Sequence, residues 1–176
     1  MKQRFCTLTI AMLIFISFMM IGCFDSDKPV EVKPIVQAYW DGFHSIRSLF
    51  DDMKAKGYSY GNDWDDISYL TNYPKPLNQM MTDKYSNCLD YANWTSEFIK
   101  YKSPTEYVAD SYETILMLSN RYVPRLWHYT NLISIYGELY EQSNTSLYRV
   151  NSEEEQWQLW QNKGYTYKES KGSWKR

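Results

Sequence analysis

The sequence predicts an α+β domain, with N-terminal helices packed on an antiparallel β-sheet. Before residue 102, apolar residues recur at spacings of three and four, the period of a helix that buries one face. After residue 105, short β-branched and aromatic segments alternate with turn residues, the pattern of strands. Helices followed by strands, rather than a βαβ alternation, put the two kinds of element in separate layers.

The elements follow in order. Lys2 and Arg4 open the chain, and Thr7 to Ile21 is an apolar run. It is shorter than the ~20 residues of a bilayer-spanning helix and suits a cleaved leader over 1–22. Residues 23–34 carry Asp25, Ser26, Asp27 and two prolines and read as a tether. The domain is expected over 35–162. Ile35 to Lys56 predicts one helix through Val36, Tyr39, Trp40, Phe43, Ile46, Phe50 and Met53, ended by Gly57. Tyr58 to Tyr73 reads as loop. Its Asp63, Asp65 and Asp66 lack the full EF-hand spacing and a closing Glu, so they read as a solvated loop rather than a Ca²⁺ site. Leu77 to Asp83 predicts a short helix. Asn87 to Tyr101 predicts a longer one, stopped by Ser103-Pro104.

Strands are expected over Glu106–Ala109, Glu113–Leu118, Leu126–Tyr136, Glu138–Gln142 and Leu147–Val150, with a hairpin turn at Gly137. Ser152 and Glu155 form a capping box before a last short helix with Trp157 and Trp160. Residues 163–176 are basic and aromatic and read as a frayed tail.

Composition narrows the partners. The net charge of −2 becomes −4 once Lys2 and Arg4 leave with the leader, which argues against nucleic acid. Seventeen tyrosines and seven tryptophans suit an aromatic core, a sugar-binding surface, or both. No Cys/His cluster supports zinc, and no Gly-rich phosphate loop is present.

Met20-Ile21-Gly22-Cys23 resembles the bacterial lipobox. The resemblance implies cleavage before Cys23 and lipidation of that cysteine, which would hold the body on a membrane. Phe24, not Asp, follows, so nothing resembles an inner-membrane retention signal. In a Gram-negative host the expected address is the outer membrane, facing the periplasm.

Removal of the leader leaves Cys88 as the one thiol besides Cys23. Exported cysteines normally pair. Cys88 is therefore buried and inert, kept free because its sulfur reacts, or paired between chains. Its position suits reactivity. Asn87 is a good N-cap, and unpaired N–H groups at a helix start favour a thiolate and an acyl oxyanion. His128, on the strand before Gly137, is the candidate base, and after the next strand returns Asn144 would orient its ring, with Ser143 the poorer candidate. His44 reads as a helix-face residue. For each of the three there is an ordinary structural role: a small buried apolar residue, a packed strand histidine, and turn chemistry before Thr145-Ser146.

The run Cys88-Leu89-Asp90-Tyr91-Ala92, the approach Tyr73-Pro74-Lys75-Pro76, and the hairpin His128–Ile135, Tyr136-Gly137, Glu138–Tyr140 resemble the transglutaminase-like superfamily of papain-like thiol enzymes. The likeness spans roughly Tyr69 to Asn144. Ser86-Asn87 replaces the family's Gly-Asp, and Ser143-Asn144 stands where the family has Asp. The resemblance implies a papain-like core and acyl transfer or hydrolysis on peptide or protein amides, with Cys88, His128 and Asn144 as the catalytic set and no cofactor. It also admits members that are non-catalytic scaffolds. The alternative expectation is an envelope lipoprotein that binds a protein partner or cell-wall polymer as an immunity, exclusion or assembly factor.

Overall fold

The computed structural model describes residues 34–61, 73–119 and 127–176. The leader, Cys23 with most of its tether, and the Asp63, Asp65 and Asp66 loop lie outside the described residues.

The expected first helix is two. α1 (Pro34–Trp40) stops at an Asp41-Gly42 turn, and α2 (Ile46–Ala55) starts afresh. Ser45 caps α2 by accepting from the Ser48 N–H at 3.1 Å. Glycine is poor inside a helix and serine is good before one, so the local chemistry outweighs the continuous apolar stripe. His44 thus lies in a turn rather than on a helix face; it is exposed and its Nδ1 stands 2.7 Å from Glu106.

A two-residue strand, β1 (Ser59–Tyr60), pairs in parallel with β2 (Tyr85–Ser86) on either side of α3 (Leu77–Asp83). α3 ends at Lys84, whose φ of 55° is left-handed, and that turn delivers the chain into β2. α4 (Cys88–Lys102) follows as the long central helix.

The sheet is antiparallel. Its strands are β3 (Ser111–Leu118), β4 (Trp127–Ile135), β5 (Glu138–Ser143), β6 (Ser146–Val150) and β7 (Tyr167–Lys175), in the order β6-β5-β4-β3-β7. α5 (Glu153–Asn162) joins β6 to β7. Two expectations are corrected. Glu106–Ala109 forms no strand; it is an irregular link that leads into β3. Residues 163–176 are no frayed tail: β7 pairs with β3 from Leu118↔Tyr167 to Ser111↔Lys175, and Trp174 stacks on Tyr112. β7 is therefore part of the same sheet, past the boundary expected at 162.

Both sheet faces carry helices. On one side lie the helices, with Trp40, Leu49, Met53, Tyr91, Trp94, Phe98 and Ile99 packed against Tyr112 and Ile133. Trp40 meets Trp94 edge-on at 5.2 Å between ring centroids, and Phe98 at 5.8 Å. On the other side α5 lays Trp160 over Ile115, Met117, Leu132 and Val150. The result is a three-layer stack with the sheet in the middle. A β4 buried on both faces carries apolar residues at consecutive positions instead of alternating them.

Candidate functional site

The start of α4 is built by its own side chains. Asn87 Oδ1 accepts from the N–H groups of Leu89 (2.9 Å) and Asp90 (3.1 Å). Asp90 Oδ2 accepts from the Asn87 N–H at 3.0 Å, and its other oxygen from the Lys75 N–H at 2.7 Å. This is a full capping box, with the carboxylate also tying down the Lys75 segment. Two of the N–H groups that would face an oxyanion are thereby committed to Asn87.

Cys88 is 2% exposed and sits with Leu89, Ala92 and Tyr129. Burial pushes its thiol up to about 11, against the pull of backbone groups of Tyr129, Leu89 and Cys88 itself; the Asp90 charge adds to the rise. A thiol so held is neutral at pH 7, the reverse of what nucleophilic attack requires.

β4 decides where His128 goes. Successive strand side chains point to opposite faces. Tyr129, Asn131 and Ile133 face the helical layer: Tyr129 touches the Cys88 cluster, Asn131 Nδ2 donates to the Ala92 carbonyl at 2.8 Å, and Ile133 joins the helical core. His128, Thr130 and Leu132 face α5. The His128 ring stacks on Trp160, centroids 4.6 Å apart, and its Nε2 stands 3.0 Å from Ser143 Oγ. The two side chains have different neighbours: Cys88 packs with Leu89, Ala92 and Tyr129 on one face of β4, and the His128 ring leaves β4 from the other face to stack on Trp160. The physical reason is a parity of one residue: Tyr129 occupies the place opposite Cys88 that the imidazole was expected to take.

Asn144 is also elsewhere in role. It sits in the β5–β6 turn at a φ of 52°, and its carbonyl accepts from Gln142 Nε2. The bond to His128 comes from Ser143 instead. Asn tolerates the left-handed conformation better than most residues, so its presence here is turn chemistry.

Around His128 the α5 face holds a buried polar group. Glu141 Oε1 accepts from Trp160 Nε1 and from Thr130 Oγ1 at 3.1 Å. Lys163 Nζ lies 3.9 Å from the centre of the Trp160 ring. Burial, with the Lys163 charge adding, pulls the His128 pKa from 6.5 down to about 4, and burial raises that of Glu141. On the helical face a second polar row crosses three strands: Thr114 Oγ1 donates to Asn131 Oδ1 at 2.6 Å, and Asn131 Nδ2 also donates to Gln142 Oε1 at 2.8 Å. Both Asn131 and Gln142 are fully buried. This row fastens α4 to the sheet, since breaking it would strand buried amides. The sequence pattern did not point to Tyr129, Asn131 or Gln142, and it ranked Ser143 below Asn144 as the partner of the ring. The odd-numbered set Tyr129, Asn131, Ile133 was the available signal, one position out of step with the histidine.

Among the described residues no group of three His, Cys, Asp or Glu side chains stands together as metal ligands would, and no helix is long and apolar enough to cross a membrane. No family model matches the chain, and neither a curated protein nor a solved structure matches it.

Proposed function

We propose that this chain is a lipid-tethered binding domain of the bacterial envelope, built on a transglutaminase-like frame but without thiol catalysis. The observation that carries the reading is the sheet that separates Cys88 from His128. The frame is supported by Cys88 at the first position of a capped helix and by the antiparallel sheet on which that helix lies, with its β4–β5 hairpin. A thiol buried among Leu89, Ala92 and Tyr129, with the His128 imidazole stacked on Trp160 instead, packs the helix start as a small apolar residue does. Tethering is supported by the sequence pattern at Cys23 alone.

Two experiments test this. Purified chain is incubated with casein and a fluorescent primary amine, and separately with a fluorogenic peptide amide. Amine incorporation and amide cleavage should not exceed those of Cys88→Ala. A Cys88-dependent rate in either assay overturns the non-catalytic reading. For the anchor, cells fed labelled palmitate should mark the wild-type chain and not Cys23→Ser; equal or absent labelling in both removes the tether.

A further inference from the structure

α5 covers only part of its sheet face. Trp160 sits over Ile115, Met117, Leu132 and Val150, toward the end where β3 meets Tyr167. Toward the other end, where Ser111 pairs with Lys175, a cleft of about 250 Å³ stays open. Leu132 and Leu139 form its floor, and Glu113, Ser134, Glu153 and Lys175 stand among its walls.

Beside this cleft is an aromatic stack. Tyr107 and Tyr136 lie face to face, with centroids 4.1 Å apart and planes 21° off parallel. The Arg176 guanidinium lies 5.6 Å from the Tyr107 ring centre. Tyr136 is 77% exposed. Asp110 joins the stack to the cleft: its Oδ1 accepts from Tyr107 Oη at 3.0 Å, and its Oδ2 from Ser134 Oγ at 3.1 Å and the Gly137 N–H at 2.9 Å. Tyr107 Oη also accepts from the Tyr136 N–H.

Tyr136 is an odd choice for its place. It and Gly137 form the two-residue β4–β5 turn at positive φ, 52° and 74°. Such turns favour Asn, Asp or Gly, and a bulky side chain at positive φ is an outlier. Strain of this kind gathers at ligand sites. Here it holds a large flat ring in solvent where a smaller residue would make a better turn.

We propose that the Tyr136 ring and the adjoining cleft bind a short neutral saccharide. This rests on the binding-domain reading above. A pyranose has a face of C–H bonds and a rim of hydroxyls. The face matches an exposed tyrosine ring, and the rim matches a wall of carboxylate, hydroxyl and ammonium groups. The walls carry both signs of charge, which favours a neutral polyol over an anion or a cation. The volume falls below the ~300 Å³ at which pockets for drug-sized ligands begin, so the cleft takes about one sugar ring, and the other rings of a short saccharide lie outside it, toward Tyr136.

The test is titration of the full chain with chitotriose and, separately, with cellotriose, followed by calorimetry and by tyrosine ring NMR signals. At least one sugar should bind saturably. Tyr136→Asn should weaken that binding about tenfold while keeping or raising the melting temperature, because Asn suits the turn. Glu113→Gln should weaken it as well. Tyr167→Ala, an exposed tyrosine at the opposite end of the sheet, should bind as wild type does. Absence of saturable binding to both sugars overturns the proposal and leaves the patch to a protein partner. Binding that Tyr136→Asn leaves unchanged overturns it too. Failure here is separable from failure of the non-catalytic reading, since sugar binding should be equal in wild type and Cys88→Ala whichever way the amide assays turn out.

Discussion

At the residue scale, His128 is a neutral imidazole wedged between Trp160 and Ser143. Its depressed pKa has a consequence for acid stability. Below the ordinary value of 6.5 the unfolded chain takes up a proton that the folded chain refuses until about pH 4. Protons therefore favour unfolding across that window, and stability is lost as pH falls. The cost saturates at about 3 kcal/mol for a shift of this size. Glu141 works in the opposite sense: its raised pKa lets the folded chain accept a proton earlier than the unfolded one, offsetting part of the loss. A comparison with His128→Gln isolates the imidazole. Between pH 7 and 4.5, wild type should lose about 2–3 kcal/mol more than the variant by urea denaturation. Parallel stability curves would mean that the ring is not buried neutral. The same residue shows why the sequence misled. Strand and hairpin around His128 were legible from Trp127 to Gly137, but the face was not, since apolar side chains occupy both parities of a strand covered on both sides.

At the element scale, α4 is the piece that reads most directly from sequence. Asn87, Asp90 and the apolar residues behind them specify its start, and the structure places the cap as the residues require. Asn87→Ala removes the acceptor for two N–H groups and leaves them buried, so it should cost about 1–2 kcal/mol. The check is a lowered urea midpoint with an unchanged slope, and recovery of most of the loss in Asn87→Asp. An unchanged midpoint would show that the cap is dispensable. Elements set by local chemistry against the wider pattern were harder. The break between α1 and α2 hangs on Gly42 and Ser45, two residues inside an otherwise continuous apolar stripe. β7 was hidden for the opposite reason: Lys168, Glu169, Ser170, Lys171, Ser173 and Lys175 look solvated. Lysines are what an edge strand carries to discourage pairing with another chain. Its one strong apolar signal, Trp174, is the ring that stacks on Tyr112.

At the scale of the whole molecule, the sheet is a partition. One face, with the helices, holds Cys88, Tyr129 and the Thr114–Asn131–Gln142 row; the other, with α5, holds His128, Ser143 and Glu141. The α+β class follows from composition and period alone, whereas the placing of α5 on the second face and the distribution of polar groups between the two faces depend on strand register and parity, which long-range packing decides. The His128 ring stacks on Trp160 rather than on the Cys88 cluster, and burial keeps the proton on the sulfur. The most direct test is the alkylation rate of Cys88 by iodoacetamide, followed by peptide mass spectrometry on the folded full chain from pH 6 to 10. Labelling should be slower than that of a small free thiol at every pH up to about 9, and the same in His128→Gln. Labelling faster than the free thiol at neutral pH, and slowed in His128→Gln, would contradict the partition.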